Sequence, residues 1–309
     1  MNRPAPRSID EYLNQLRASL AGEDPALIQD ALYDAEEYLR AEVAANAGKS
    51  EADVLELIAS TYGAPDEVAA AYRDTETKVK AALTTPRRVP VEAGPLRRFF
   101  GVFLDVRAYT SLFLMLLALA TGTIYFTIAV TGLSLSLGLA ILIIGIPFFL
   151  AFIGITRVIA LGEGRLIEAL TGERMPRRPE HPGPARTIWQ RIGEMLRDWR
   201  TWSTLLYMLL ALPLGILYFT LAVCGISIGS ALTLGSMYEA ARLLGLHNLP
   251  GGLQIRIDED PQMLQWLATP GGLLLMFVAG VLLVTLTLHG ARAIGKGHAR
   301  LAKAMLVVH

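Results

Sequence analysis

Residues 109–131, 133–156, 203–226 and 273–288 contain no Asp, Glu, Lys or Arg. Crossing a bilayer takes about 20 mainly apolar residues in a form that satisfies its own backbone hydrogen bonds. The fourth run reaches that length when 269–272 and 289–291 are included. Four transmembrane helices are therefore expected. The composition agrees: 53% of residues are hydrophobic and 18% charged, with a mean hydropathy of +0.42. Soluble domains carry nearer ~25% charge.

The formal net charge of zero hides an asymmetry. Residues 1–84 hold 16 acids and 8 bases, a net of −8, leaving 12 acids and 20 bases, a net of +8, for 85–309. Helix-start signals recur in the acidic part: Ser8 before Glu11, Asp24 before Pro25, Ser50 before Asp53. Apolar residues between them follow a helical period, from Ile9, Tyr12, Leu13, Leu16 and Leu20 to Val54, Leu57, Ile58 and Tyr62, closed by Gly63. Pro65 opens a fourth helix. An acidic helical bundle over 1–84 is predicted, with Asp30, Asp34, Glu36 and Glu37 on one helix as a solvated surface or a docking face for a basic partner. A net of −8 repels phosphates and disfavours direct nucleic-acid binding. Met1–Ser8 has no apolar stretch, so the amino terminus is expected in the cytoplasm.

Residues 85–95 read as a Pro/Arg linker. The remainder, 96–309, repeats itself. A shift of 93 positions aligns "DVRAYTSLFLMLLALATGTIYFTIAVTG" with "DWRTWSTLLYMLLALPLGILYFTLAVCG", so that Asp105 meets Asp198, Tyr109 meets Trp202 and Gly122 meets Gly215. Further on, a shift of 135 aligns Arg157 with Arg292. The difference marks an insertion of 42 residues in the second hairpin, within 227–269. Its residues 237–246 are expected as a short amphipathic helix, and 253–257 give a weak strand signal.

Each copy follows an amphipathic stretch, with Leu96, Phe99, Phe100 and Phe103 in the first. Arg97, Arg98, Trp189, Arg191, Trp199 and Trp202 are candidate membrane-interface residues, since arginines suit anionic headgroups and Trp the boundary. Gly122 and Gly215 are candidates for close helix packing, and Pro147 and Pro213 for kinks. Residues 157–200 hold nine arginines, whereas the expected turn at 131–138 holds no charged residue. Both termini and the central connection should therefore be cytoplasmic, with the turn and the insertion outside. The expectation is an all-α, multi-pass protein of the cell (inner) membrane.

Two resemblances rest on these motifs. The runs "IDEYLNQLRASLAG", "LYDAEEYLRAEV" and "ADVLELIASTYGAPDEVAAAYR" (about 8–75) resemble the HAAS signalling domain, and the turn from Gly63 to Ala69 is their most specific part. That resemblance implies a helical module, often fused to membrane segments and associated with PadR-type transcription regulators. Relatives that carry a His in the second helix have Tyr38 in its place here. Residues 95–305 resemble the four-helix "Putative sensor" membrane domain, through "DWRTWSTLLYMLLALPLGILYFTLAV", with Ala120 replacing the Leu-Pro proline in the first copy.

No P-loop, G-x-S-x-G, H-E-x-x-H or C-x-x-C motif occurs, and Cys224 is the single cysteine. No enzyme activity, cofactor or metal is expected. Membrane lipid and a cytoplasmic protein, of the PadR type on the resemblance, are the expected partners, with a homo-oligomer left open. The preferred expectation is a membrane sensor that relays an envelope or bilayer signal through residues 1–84. A transport accessory or small lipid or solute transporter is one alternative, and a structural scaffold another.

Overall fold

In a computed structural model, the residues described are 5–83, 94–141, 144–178, 193, 196–245, 266–267 and 269–307. Every regular element among them is helical. The first four are α1 (Ile9–Ser19), α2 (Pro25–Ala45), α3 (Glu51–Thr61) and α4 (Pro65–Leu83). α5 (Pro95–Phe100) and a 3-10 turn (Gly101–Leu104) lead to four long helices: α6 (Val106–Leu139), α7 (Gly145–Thr171), α8 (Trp199–Leu243) and α9 (Pro270–Leu306). All four long helices have the length and apolar composition needed to cross a membrane.

The acidic bundle starts its helices where the caps dictate. Ser8, Asp24 and Ser50 accept the N–H groups of Glu11, Ala26 and Asp53 at 3.2, 2.9 and 3.2 Å, filling donors that a first helical turn leaves open. Tyr12, Leu16, Leu20, Leu39, Leu55 and Ile58 are fully buried together. Burying each aliphatic side chain contributes about 1.5–3 kcal/mol relative to exposure. Tyr12 Oη donates to Gly63 O at 2.8 Å, where Gly63 takes a φ of +114° that only glycine adopts without strain.

The chain divides into two compact units, one of residues 1–91, 132–207 and 301–309, the other of 92–131 and 208–300. In the first, the bundle shares its unit with α7. The Tyr207 hydroxyl donates to the buried Glu163 at 2.9 Å, Arg157 lies 3.5 Å from Asp198, and Ser203 Oγ donates to Met305 O at 2.7 Å. In the second, α6 and α8 meet backbone to backbone. A Cβ on Gly122 would lie 2.4 Å from Ala211 O, and one on Gly215 would lie 2.3 Å from Ala118 O. Arg292 pairs with Asp105 at 3.0 Å, and His289 Nε2 lies 2.9 Å from Phe99 O.

Positions that the 93-residue shift aligns make matching contacts. Tyr109 Oη donates to Phe103 O at 2.9 Å, as Trp202 Nε1 does to Leu196 O at 2.8 Å. Asp105 and Asp198 each accept the N–H two residues ahead at 3.0 Å. The ion pairs also join aligned positions: Arg157 meets Asp198, and Arg292 meets Asp105.

The helices are longer than the uncharged runs alone imply. The expected turn at 131–138 is helix, which continues to Leu139, and α7 begins at Gly145. Ser and Gly mark turns in water, but here Ser136 Oγ returns its proton to Gly132 O at 2.6 Å and the backbone ladder continues. Pro147 thereby lies in the first turn of α7, where a missing N–H costs no helical bond, so no kink is required. Pro213 does stand inside α8.

The expected separate helix at 237–246 is also corrected. Residues 237–243 are the end of α8, which runs unbroken to Leu243. Gly229 and Gly280 allow this, because they let α8 and α9 approach until a Cβ on Gly280 would meet Gly229 O at 2.7 Å. The strand signal at 253–257, residues 85–93 of the expected 85–95 linker, Trp189 and Arg191 fall outside the described residues, while Pro95 opens α5.

Candidate functional site: an acidic helix clasped by an arginine segment

Helix α7 stops at Gly172, whose φ of +74° takes the left-handed cap that suits glycine. The chain then doubles back, and the fully buried Met175 lies against Gly164. That reversal turns residues 174–178 toward α2 of the acidic bundle.

Asp30, 5% exposed, is the centre of the contact. Its Oδ1 accepts the backbone N–H groups of Arg177 and Arg178 at 2.8 and 2.9 Å, and its Oδ2 accepts from Arg174 Nη2 at 3.0 Å. The Arg174 guanidinium also pairs with Glu76 of α4, so one buried cation bridges two carboxylates from two helices. Around this centre, Arg178 Nε lies 2.9 Å from Asp34 Oδ1, and its guanidinium sits 5.7 Å from the centre of the Tyr33 ring. Tyr72 donates to the other Asp34 oxygen at 3.0 Å, and Gln29 Nε2 to Arg178 O at 2.8 Å. Lys303, near the end of α9, reaches Asp24 at 2.6 Å and Glu173 at 3.4 Å.

Burial pushes the Asp30 carboxyl above its ordinary value, and its three donors pull it partway back. Desolvation thus outweighs pairing, as is common for buried charges. The rim pairs are wetter: the Arg178 and Asp34 side chains are 51% and 32% exposed, against 13% and 7% for Arg174 and Asp30.

Of the four acidic residues expected to form a docking face, Asp30 and Asp34 are engaged by the chain's own arginines. Glu36 turns inward, 2% exposed, and pairs with Arg40 at 2.5 Å. Glu37 is exposed. Among the interface candidates, Arg97 and Arg98 are exposed, Trp199 is 77% exposed and Trp202 45%. Gly122 and Gly215 both sit at the α6–α8 approach described above.

Glu76, Arg174, Arg177, Arg178 and Lys303 escaped the sequence reading. The arginines entered it only as a charge count. The one local signal was their position, directly after the glycine that ends an apolar helix.

These features define a four-span helical membrane protein with an acidic helical bundle clasped by its own basic segment. Residues 113–306 match the model of the family described as "Putative sensor", and the chain belongs to that family. Comparison with curated proteins gave no match, and neither did comparison with solved structures.

Proposed function

We propose that the protein is a bacterial inner-membrane sensor that relays a bilayer or envelope signal by releasing its acidic bundle from the arginine segment. The membership of the sensor family and the four apolar helices support the sensing half. One observation carries the relay half: the acidic face expected to bind a basic partner is held in the same chain, with Asp30 on three donors. A face so occupied is closed to a partner until the segment lets go. In this reading the bundle is a HAAS-like output module, both termini are cytoplasmic, and the paired hairpins descend from one repeated unit that moves as the signal arrives. The soluble partner carries basic groups that replace Arg174 and Arg178, and a PadR-type regulator fits the resemblance of residues 8–75.

Crosslinking and capture in native membranes test this. The full chain, an Arg174→Gln variant and a chain lacking 1–84 are compared. A soluble protein captured more strongly by Arg174→Gln, which keeps the acidic face intact and removes its cis cation, and absent from the truncated chain, is the expected outcome. Identical membrane partners for every version, with no soluble one, would instead favour the scaffold or transport-accessory reading.

A further inference from the structure

The clasp is built like an oxyanion site. Two successive backbone N–H groups, of Arg177 and Arg178, converge on one oxygen at 2.8 and 2.9 Å while Arg174 holds the other at 3.0 Å. Consecutive N–H groups of this kind form the concavity that binds phosphates and other anions in many proteins. Arg174 Nε, also buried, has no acceptor among the described residues. A carboxylate has two oxygens, both already engaged; a phosphate brings further ones to a guanidinium fork that suits it.

The charge fits a lipid. The uncharged run within α7 ends at Thr156, and residues 157–200, on the side expected to face the cytoplasm, hold nine arginines, three of them at 174, 177 and 178. Arginines beside the end of a span gain roughly 1 kcal/mol each from an anionic leaflet.

We propose that residues 174–178 form an oxyanion cradle in which the phosphate of an anionic lipid headgroup competes with the Asp30 carboxylate. This rests on the clasp described above. Anionic lipid then takes over the cradle donors and Arg174, and the acidic bundle is set free. Asp30 is a displaceable occupant because burial already penalises its charge.

The test uses the full chain with Cys224→Ser and Gln29→Cys, reconstituted in nanodiscs. Gln29 is 8% exposed and bonded to Arg178 O, so a cysteine there is shielded from maleimide while the clasp is shut. Three conditions are compared: phosphatidylcholine discs, discs with a third of that lipid replaced by phosphatidylglycerol, and phosphatidylcholine discs with soluble glycerol phosphate. Labelling should rise about threefold or more in the anionic discs alone, a shift in population that a modest preference of lipid for the open state produces. The rise should persist in Arg97→Gln/Arg98→Gln, which removes other exposed cations. Equal rates in both discs, a rise with glycerol phosphate, or loss of the rise in that double variant would each overturn the proposal. Arg174→Gln added to the same chain separates the two levels: it removes the cation shared by Asp30 and Glu76 and should speed labelling in phosphatidylcholine discs. If it does, flat lipid dependence sinks the lipid inference alone; if it does not, the clasp reading falls and this proposal with it.

Discussion

Arg174 Nη2 lies 3.0 Å from Asp30 Oδ2, although 144 positions separate the two residues. Both side chains are at most 13% exposed. The pair therefore has few water molecules to fall back on, and losing one partner is costly where an exposed pair would matter little.

Arg174→Met should be the most damaging single change at the clasp. It leaves Asp30 and Glu76 buried together without their shared cation, at a cost of about 3–5 kcal/mol. Faster amide hydrogen exchange in α2 and faster labelling at Gln29→Cys should follow. Arg174→Lys keeps the charge, loses the fork and should fall between the two. Unchanged exchange in Arg174→Met would refute the clasp.

Acid should not open the clasp through Asp30. Its carboxyl is raised in the closed form, so that form binds the proton more readily than the open one does. As pH falls from that raised value toward the free carboxyl value of about 4, closure gains stability from this group. Above the raised value the gain is absent. Labelling at Gln29→Cys should slow on acidification across this window, and Asp30→Asn should abolish that trend.

Salt should act on the rim rather than the centre. The Arg178 and Asp34 side chains are wet enough to be screened, whereas Arg174 and Asp30 are shielded. Moving from low to high ionic strength should loosen Arg178→Gln and the parent chain to different degrees, with the parent losing more. Equal losses would mean that the Arg178 pair contributes nothing.

Gly122→Val and Gly138→Val make a matched pair in α6. A Cβ at Gly122 meets the Ala211 carbonyl at 2.4 Å, and one at Gly138 meets nothing within 4 Å. Forcing that backbone approach apart should lower the thermal midpoint in detergent by several degrees, consistent with ~1–3 kcal/mol of overpacking. Gly138→Val should leave it unchanged.

The sequence carried much of this architecture because its signals are local. Ser8, Asp24 and Ser50 announce helix starts by their own side chains, and each caps the helix expected of it. The uncharged runs announce spans, since lipid offers the backbone no other donor or acceptor. Helix ends within lipid were less legible. Serine and glycine at 132–138 read as a turn by aqueous preference, and Ser136 instead bonds its own helix. The C-terminal half of α8 was obscured in the same way, because Gly229 acquires meaning only from Gly280 beside it.

By itself, the sequence determined the four spans, the acidic bundle and the alignment of Asp105 with Asp198 and of Arg157 with Arg292. Each follows from composition or spacing along one stretch of chain. Only the tertiary structure decided which charges meet. It joined Arg157 to Asp198 and Arg292 to Asp105, and turned residues 174–178 onto Asp30. Ion pairing has no sequence period. It depends on where a chain reversal such as Gly172 delivers a cation, and on how far burial has stripped the carboxylate that awaits it.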